Sequence, residues 1–368
     1  MGVVLVIIYL FAASSFTAAT FSHFTGTGPL LLQLATLCIP AVYVAATFLS
    51  FRQHNVILEF TAVASSVGMG FLNFASLAAV LCWPTWWLLS VAGVPLDRAS
   101  IAWVLYGGSF PVAIFGLVNA LTLRVTTYDV SLPNLPPAWQ GRRVAVVSDV
   151  HVGNIFGPGF VRKIVKRLGE LEPAAVFLCG DVFDGVVVDI PKAAGPWADL
   201  RAPAGTFFVS GNHEELGDRA RFLAELSKVG VTVLDNQRVV VDGLQVVGVH
   251  DAEAHHRAAF EAVLQRANID RRQPSILLAH RPGRLDVAEG AGISLQLSGH
   301  THAGQFPPFS FLVRKIYGRF GYGHNRHGSL QVVTSSGAGT GGPPFRVGTR
   351  SEIVLIHLRA DVPTRKQT

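Results

Sequence analysis

The sequence predicts an N-terminal α-helical membrane bundle of about four spans, followed by an α/β domain of two mixed β-sheets sandwiched between helices. Three observations carry this reading. Half of the 368 residues are hydrophobic and only 15% are charged, well under the roughly 25% of an ordinary globular chain. The deficit lies before Asp129, where Arg52, Glu59, Asp97, Arg98 and Arg124 are the only charged residues among the chain's 54. Beyond that point, short β-rich runs alternate with amphipathic stretches, and five of the runs end in Asp, Asn or His.

Residues 3–21 and 30–50 are uncharged runs of 19 and 21 residues, close to the roughly 20 that a helix needs to cross hydrocarbon. Residues 60–81 make a third span, closed by Trp83, Pro84, Trp86 and Trp87, where indole rings and a helix breaker suit the membrane interface. The piece from there to Leu96 is too short to cross alone, and residues 101–123 form the fourth span. Four segments with almost no polar face have nothing to turn toward water, which disfavours buried core helices. The start MGVVLVI lacks the positive n-region of a cleaved signal peptide. The positive-inside rule places Arg52, Arg124, Arg142 and Arg143 in the cytoplasm, and the C-terminal domain with them.

Residues 1–128 carry a formal +1 and the remainder +5. That excess suits anionic lipid headgroups or phosphate substrates. The basic residues are scattered, without the runs or aromatic interleaving of a nucleic-acid groove, and no nucleic-acid partner is expected. Cys38, Cys82 and Cys179 are an odd count and imply no disulfide framework.

Residues 1–128 are thus read as the transmembrane domain and residues 129–141, with four Pro or Gly in thirteen positions, as a linker. A soluble domain follows over 142–360, with 361–368 as a disordered tail. Strands are expected at 144–147, 175–178, 206–209, 231–234, 238–241, 244–249, 276–279, 294–297, 329–334 and 352–358. Helices are expected at 158–172, 191–200, 215–229 and 254–267. Asp-Asn and Asp-Gly between the middle strands mark tight hairpins.

The chemistry lies where strands end. SDVHVG (148–153), GDVFD (180–184), GNHEE (211–215), AHRPG (279–283) and GHTHAG (299–304) each follow an apolar run, and loops at that edge of an α/β sheet converge on ligands. One Gly-Asp or Gly-Asn is an ordinary turn; five in succession, all ending in metal-capable side chains, are not. Oxygen and imidazole ligands without thiolate suit Mn, Fe or Zn in a non-structural site. Asp149 and His151 could turn toward one ion, His300 and His302 repeat the spacing, and Asp181 is the natural carboxylate to be shared between two ions.

In order and spacing, Asp-x-His, Gly-Asp-x-x-Asp, Gly-Asn-His-Glu, His and Gly-His-x-His resemble the calcineurin-like metallophosphoesterase superfamily. The stretch SSGAGTGGPPFRVGTRSEI (335–353) is similar to the tail of membrane-anchored bacterial phosphoesterases of the YkuE and YaeI type. The resemblance implies a multi-pass protein of a bacterial plasma membrane. It also implies that Asp149, His151, Asp181 and His302 hold one divalent ion, and that Asp181, Asn212, His280 and His300 hold a second. His213 would protonate the leaving oxygen or stabilise its charge. The expected reaction is hydrolysis of a phosphodiester or pyrophosphate bond, and the membrane makes a lipid or nucleotide-lipid substrate attractive. The competing class is a non-enzymatic membrane carrier or scaffold with a metal-binding regulatory domain.

Other residues are read more plainly. Asp184 either orients a ligand or caps a loop, and Glu214 is similar. His250 and Asp251 either line the pocket or, the preferred reading, form a solvated loop; His255 and His256 are read as surface; His324 and His327 have the spacing of an extra metal pair but are read as part of a flexible Gly-rich loop. Arg346 either forks onto a substrate phosphate or makes a structural ion pair.

Overall fold

The computed structural model describes residues 2–361; residues 362–368, and with them nearly all of the expected tail, lie outside the described residues. The chain divides into two compact units, one of residues up to Ala120 together with Gly342–Val347, the other of Leu121–Gly341 and Gly348 onward.

The first unit is helical: α1 (Gly2–Thr25), α2 (Pro29–Ser50), α3 (Val56–Val91) and α4 (Arg98–Ala120). All four are long and apolar enough to cross a membrane, and they leave side chains such as Leu31, Ile57 and Val104 at least 70% exposed, as a lipid-facing surface requires. The Asn55 side chain caps α3 by accepting from Leu58 N at 2.9 Å. Polar groups tie helices together: Thr17 Oγ1 lies 2.8 Å from Ser76 Oγ, and Tyr106 donates to Thr17 O at 2.7 Å.

The third span differs from expectation. It does not close at Pro84 but continues to Val91 over 36 residues, roughly 54 Å at 1.5 Å per residue. A proline removes one backbone donor, and neighbouring helices in apolar surroundings tolerate that loss. The fourth span also ends earlier, at Ala120. Gly342–Val347 packs within this helical unit: the fully buried Phe345 ring meets Phe71 edge-on at 5.6 Å, and Arg346 N donates to Gly116 O at 2.9 Å.

The second unit begins with β1 (Leu123–Leu132), where the sequence reading had a span end and a linker. β1 pairs in parallel over ten residues with the late β12 (Ser351–Ala360). Its alternation of Val125, Thr127, Asp129 with their neighbours has the period of a strand, but the partner that makes it one lies more than 220 residues away. Between them run β2 (Arg143–Val147), α5 (Pro158–Leu171), β3 (Ala175–Cys179), α6 (Ile190–Ala194), β4 (Thr206–Val209), α7 (Asn212–Leu216), α8 (Arg219–Lys228), β5 (Thr232–Val233), β6 (Arg238–Val241), β7 (Leu244–Val249), α9 (Asp251–His255), α10 (Arg257–Ala267), β8 (Ser275–Ala279), α11 (Leu285–Ala291), β9 (Leu295–Ser298), α12 (Phe309–Tyr317), β10 (Gly323–His327) and β11 (Leu330–Thr334).

The strands form two mixed six-stranded sheets, β1-β12-β2-β3-β4-β5 and β10-β11-β9-β8-β7-β6. Their facing sides share one core, in which Val146, Phe177 and Ile356 from the first meet Val246, Leu278 and Leu297 from the second. The outer side of the first sheet is covered through Ile164, Leu168 and Phe222 of α5 and α8. Phe260 and Leu264 of α10, with Ala288 of α11, cover the second. This is the sandwich the sequence predicts. The stretch expected as a flexible Gly-rich loop is instead β10, antiparallel to β11, with His324 Nε2 3.0 Å from Gln331 Oε1.

Candidate metal centre

The loops after β2, β3, β4, β8 and β9 converge at one edge of the sandwich and bring three groups together. Asp149, His151 and His302 form one, Asp181, His280 and His300 a second, and His151, Asp184 and His213 a third; within each, ligand-capable atoms lie within 4.8 Å of one another. Asp181 faces two of these groups. One of its oxygens, Oδ2, is 3.1 Å from His280 Nε2 and 3.9 Å from His151 Nε2.

The backbone is contorted to achieve this. Asp149, His151, Asp181, His300 and His302 all have φ between 49° and 69°, five of the thirteen non-glycine residues in the left-handed region among the described residues. Such conformations are costly and persist where surrounding structure over-determines them. Here Glu214 is one such constraint: its carboxylate accepts from Asp181 N and Phe183 N at 2.9 Å and from Gly211 N at 2.7 Å. Gly211 must be glycine, because a Cβ there would stand 2.7 Å from Asp181 N. Burial, and then the Asp181 charge, raise the Glu214 carboxyl to about 7.

The imidazoles are oriented from behind. His280 Nδ1 donates to Cys179 O at 2.8 Å, and His151 Nδ1 lies 2.9 Å from Asp184 Oδ1. Both Nε2 atoms therefore turn inward, the arrangement of a metal-ligating histidine. His151 Nε2 and His302 Nε2 stand 3.1 Å apart, a separation two lone pairs hold only with a proton or cation beside them. His280 Nε2 and Asn212 Oδ1 are buried without a hydrogen-bond partner among the described residues. These orphaned atoms, with an oxygen and imidazole donor set, fit divalent cations.

The electrostatics agree. Burial works against the Asp181 charge, yet the charge of His280, 3.1 Å away, outweighs it and holds its carboxyl well below the ordinary range. Burial pushes the Asp149 carboxyl up, and the Asp181 charge adds to this. For His280, burial favours the neutral ring, but Asp181 raises it to about 10. Burial, then the charges of His280 and Arg281, push His300 down to about 2.

Of the residues singled out from sequence, Asp149, His151, Asp181, His280, His300 and His302 stand in the groups, and Asn212 opens α7 beside Gly211. His213 joins through Asp184: its Nδ1 is 3.3 Å from Asp184 Oδ1 and its N donates to Asp181 Oδ1 at 2.8 Å. Asp184 thus takes the first of its two readings, orienting two imidazoles at once. Arg346 belongs to Gly342–Val347 and is fully buried in the helical unit. Ser148 escaped the sequence reading; its hydroxyl donates to Asp149 Oδ2 at 2.5 Å, and a serine before an aspartate carries no signal by itself.

His250 and Asp251 correct another expectation. Both are buried. Asp251 accepts a forked pair of bonds from Arg281 at 2.7 and 3.0 Å, and His250 Nδ1 accepts from Ser210 N at 2.9 Å. Burial, and then Arg219, lower the His250 imidazole from 6.5 to about 4. Between those values the unfolded chain binds more protons, so stability falls as pH drops from 6.5 toward 4, by on the order of 3 kcal/mol. Melting temperatures across that range should show the fall, and His250→Asn, which cannot titrate, should flatten it.

A two-sheet sandwich with acid and imidazole side chains gathered at its strand ends defines a candidate metal-binding α/β domain. Residues 142–304 match the calcineurin-like phosphoesterase family, and the chain carries a calcineurin-like metallophosphoesterase domain. An uncharacterized metallophosphoesterase of Helicobacter pylori is 36% identical over 220 residues, 59% of this chain and 59% of that protein. A transmembrane protein with metallophosphoesterase domain from Bos taurus is 31% identical over 269 residues, 68% of this chain and 60% of its own length. The uncharacterized metallophosphoesterase YkuE of Bacillus subtilis is 25% identical over 254 residues, 65% and 86% respectively. The chain therefore spans 59–60% of the length of the first two.

Proposed function

We propose that this chain is a membrane-held dinuclear phosphoesterase that hydrolyses a phosphodiester or pyrophosphate bond, with a lipid or nucleotide-lipid as the substrate class. The observation that carries this is Asp181, whose single oxygen Oδ2 faces His280 on one side and His151 on the other. Asp149, His151, Asp181 and His302 would hold one ion, and Asp181, Asn212, His280 and His300 the other; Mn, Fe and Zn suit these donors. Bound there, two such ions supply Lewis-acid neutralisation of phosphoryl oxygens and a water of lowered pKa.

The chain's own groups do the rest. Asp184 and Cys179 O fix the tautomers of His151 and His280, and Glu214 holds the loop that presents Asp181. His213 is the acid. Burial would discharge it, but Asp184 and Asp181 raise its pKa to about 10, which favours the protonated imidazole that an acid needs. The positive-inside rule supports a cytoplasmic position for this unit in a bacterial plasma membrane.

The test is hydrolysis of a chromogenic aryl phosphodiester and the matching monoester by the full chain in detergent, stripped of metal and then given Mn²⁺. Metal-dependent turnover supports the reading, and a folded, metal-loaded protein inert toward both substrates overturns it. Asp184→Asn, which weakens the hold on His151, should reduce metal affinity roughly 10–100-fold, read by titrating the stripped protein with Mn²⁺.

A further inference from the structure

α12 is unlike the other α-helices of its unit. Each of α5 to α11 buries at least one residue, whereas α12 buries none of its nine. Ser310, Val313 and Tyr317 are half-buried and form its inner face; a Cβ on Gly321 would stand 2.9 Å from Val313 Cγ1, so the helix is seated on that side. The outer face carries Phe309, Leu312 and Ile316 at helical spacing with Phe311 beside them, exposed by 38%, 52%, 62% and 68%. Exposed Arg314 and Lys315 flank them.

The sequence on either side of this helix is one-sided in charge. Residues 290–351 contain six Arg or Lys and no Asp or Glu; Arg346 is buried in the helical unit, and Arg314, Lys315, Arg319, Arg326 and Arg350 are exposed. A helix with Phe, Leu and Ile on one side and basic residues at its flank has the make-up of an interfacial helix, and the charge matches anionic headgroups. The chain also has four helices apolar enough to cross a membrane, and β1 begins only three residues after α4 ends, so this unit is tethered close to a bilayer.

We propose that α12 is a membrane-contact helix that lays Phe309, Phe311, Leu312 and Ile316 into an anionic lipid surface. Its last residue, Tyr317, has its ring 6.2 Å from that of His300 and lines a cleft of about 300 Å³ with Arg281 and Arg284. A headgroup lifted from the surface at that end of the helix would arrive beside the metal centre. This last consequence rests on the hydrolase reading; the contact of α12 with lipid does not.

The experiment uses the full chain with Cys38→Ser, since Cys82 and Cys179 are buried, and an environment-sensitive fluorophore on Phe311→Cys, Ile316→Cys or, as reference, Val240→Cys. The proteins are reconstituted in phosphatidylcholine vesicles with and without phosphatidylglycerol. The expected result is blue-shifted emission at 311 and 316 that spin-labelled lipid quenches and iodide does not, stronger with phosphatidylglycerol, while 240 shows the reverse. Arg314→Gln with Lys315→Gln should lower the lipid-inserted population by about five-fold per charge removed. Iodide quenching at 311 and 316 equal to that at 240 overturns the proposal. So does protection from both quenchers, which would mean that protein covers this face. None of these readouts depends on turnover.

Discussion

Asp181→Asn should abolish metal-dependent phosphoester hydrolysis, lowering kcat by at least about a thousand-fold, while leaving the fold in place. The substitution keeps the volume of the side chain and an oxygen able to accept from His213 N, an existing bond of 2.8 Å. It removes the negative charge that Oδ2 presents to both His280 and His151. Bound metal, counted by elemental analysis of the purified full chain, should fall from two ions toward one or none. A variant that keeps both ions and near-native turnover would remove Asp181 from the centre of the site.

His213→Asn should leave metal content intact and cut kcat by roughly 10²–10⁴-fold. The distinction from Asp181 follows from placement: His213 stands at the margin of the groups, edge-on to His151 and beside Asp184, and 27% of its side chain remains exposed. The size of the loss should depend on the leaving group. An acidic phenol departs without a proton and needs little from His213, whereas an alcohol needs the whole of it, so the defect should be small for nitrophenyl esters and large for alkyl esters. Equal losses for both would assign His213 to binding or structure instead of proton transfer.

The strands and their order along the chain were largely legible, because each is a short apolar run ended by a turn residue and the metal-capable motifs punctuate those ends. The elements that were missed share a cause. β1 reads as a span end and a linker until β12 pairs with it. β10 reads as a flexible loop because Gly323 and Gly328 bracket it, and becomes a strand only along β11. α3 reads as ending at Pro84, since local sequence does not show which neighbours accommodate a lost donor.

By itself the sequence determined the class of this protein: four apolar helices, then an α/β domain with seven metal-capable side chains at strand ends. Residue type and two-residue spacing carry that much, because side-chain chemistry and hydrophobic period are local properties. Only the tertiary structure decided that His151 and His302, 151 positions apart, meet at 3.1 Å, that Asp184 stands beside two imidazoles, and that Arg346 is fully buried. It also placed a bare apolar helix at the end of which Tyr317 approaches His300. Such facts depend on which strand edges and loops pack together, a contest settled by burial and hydrogen bonding across the whole chain.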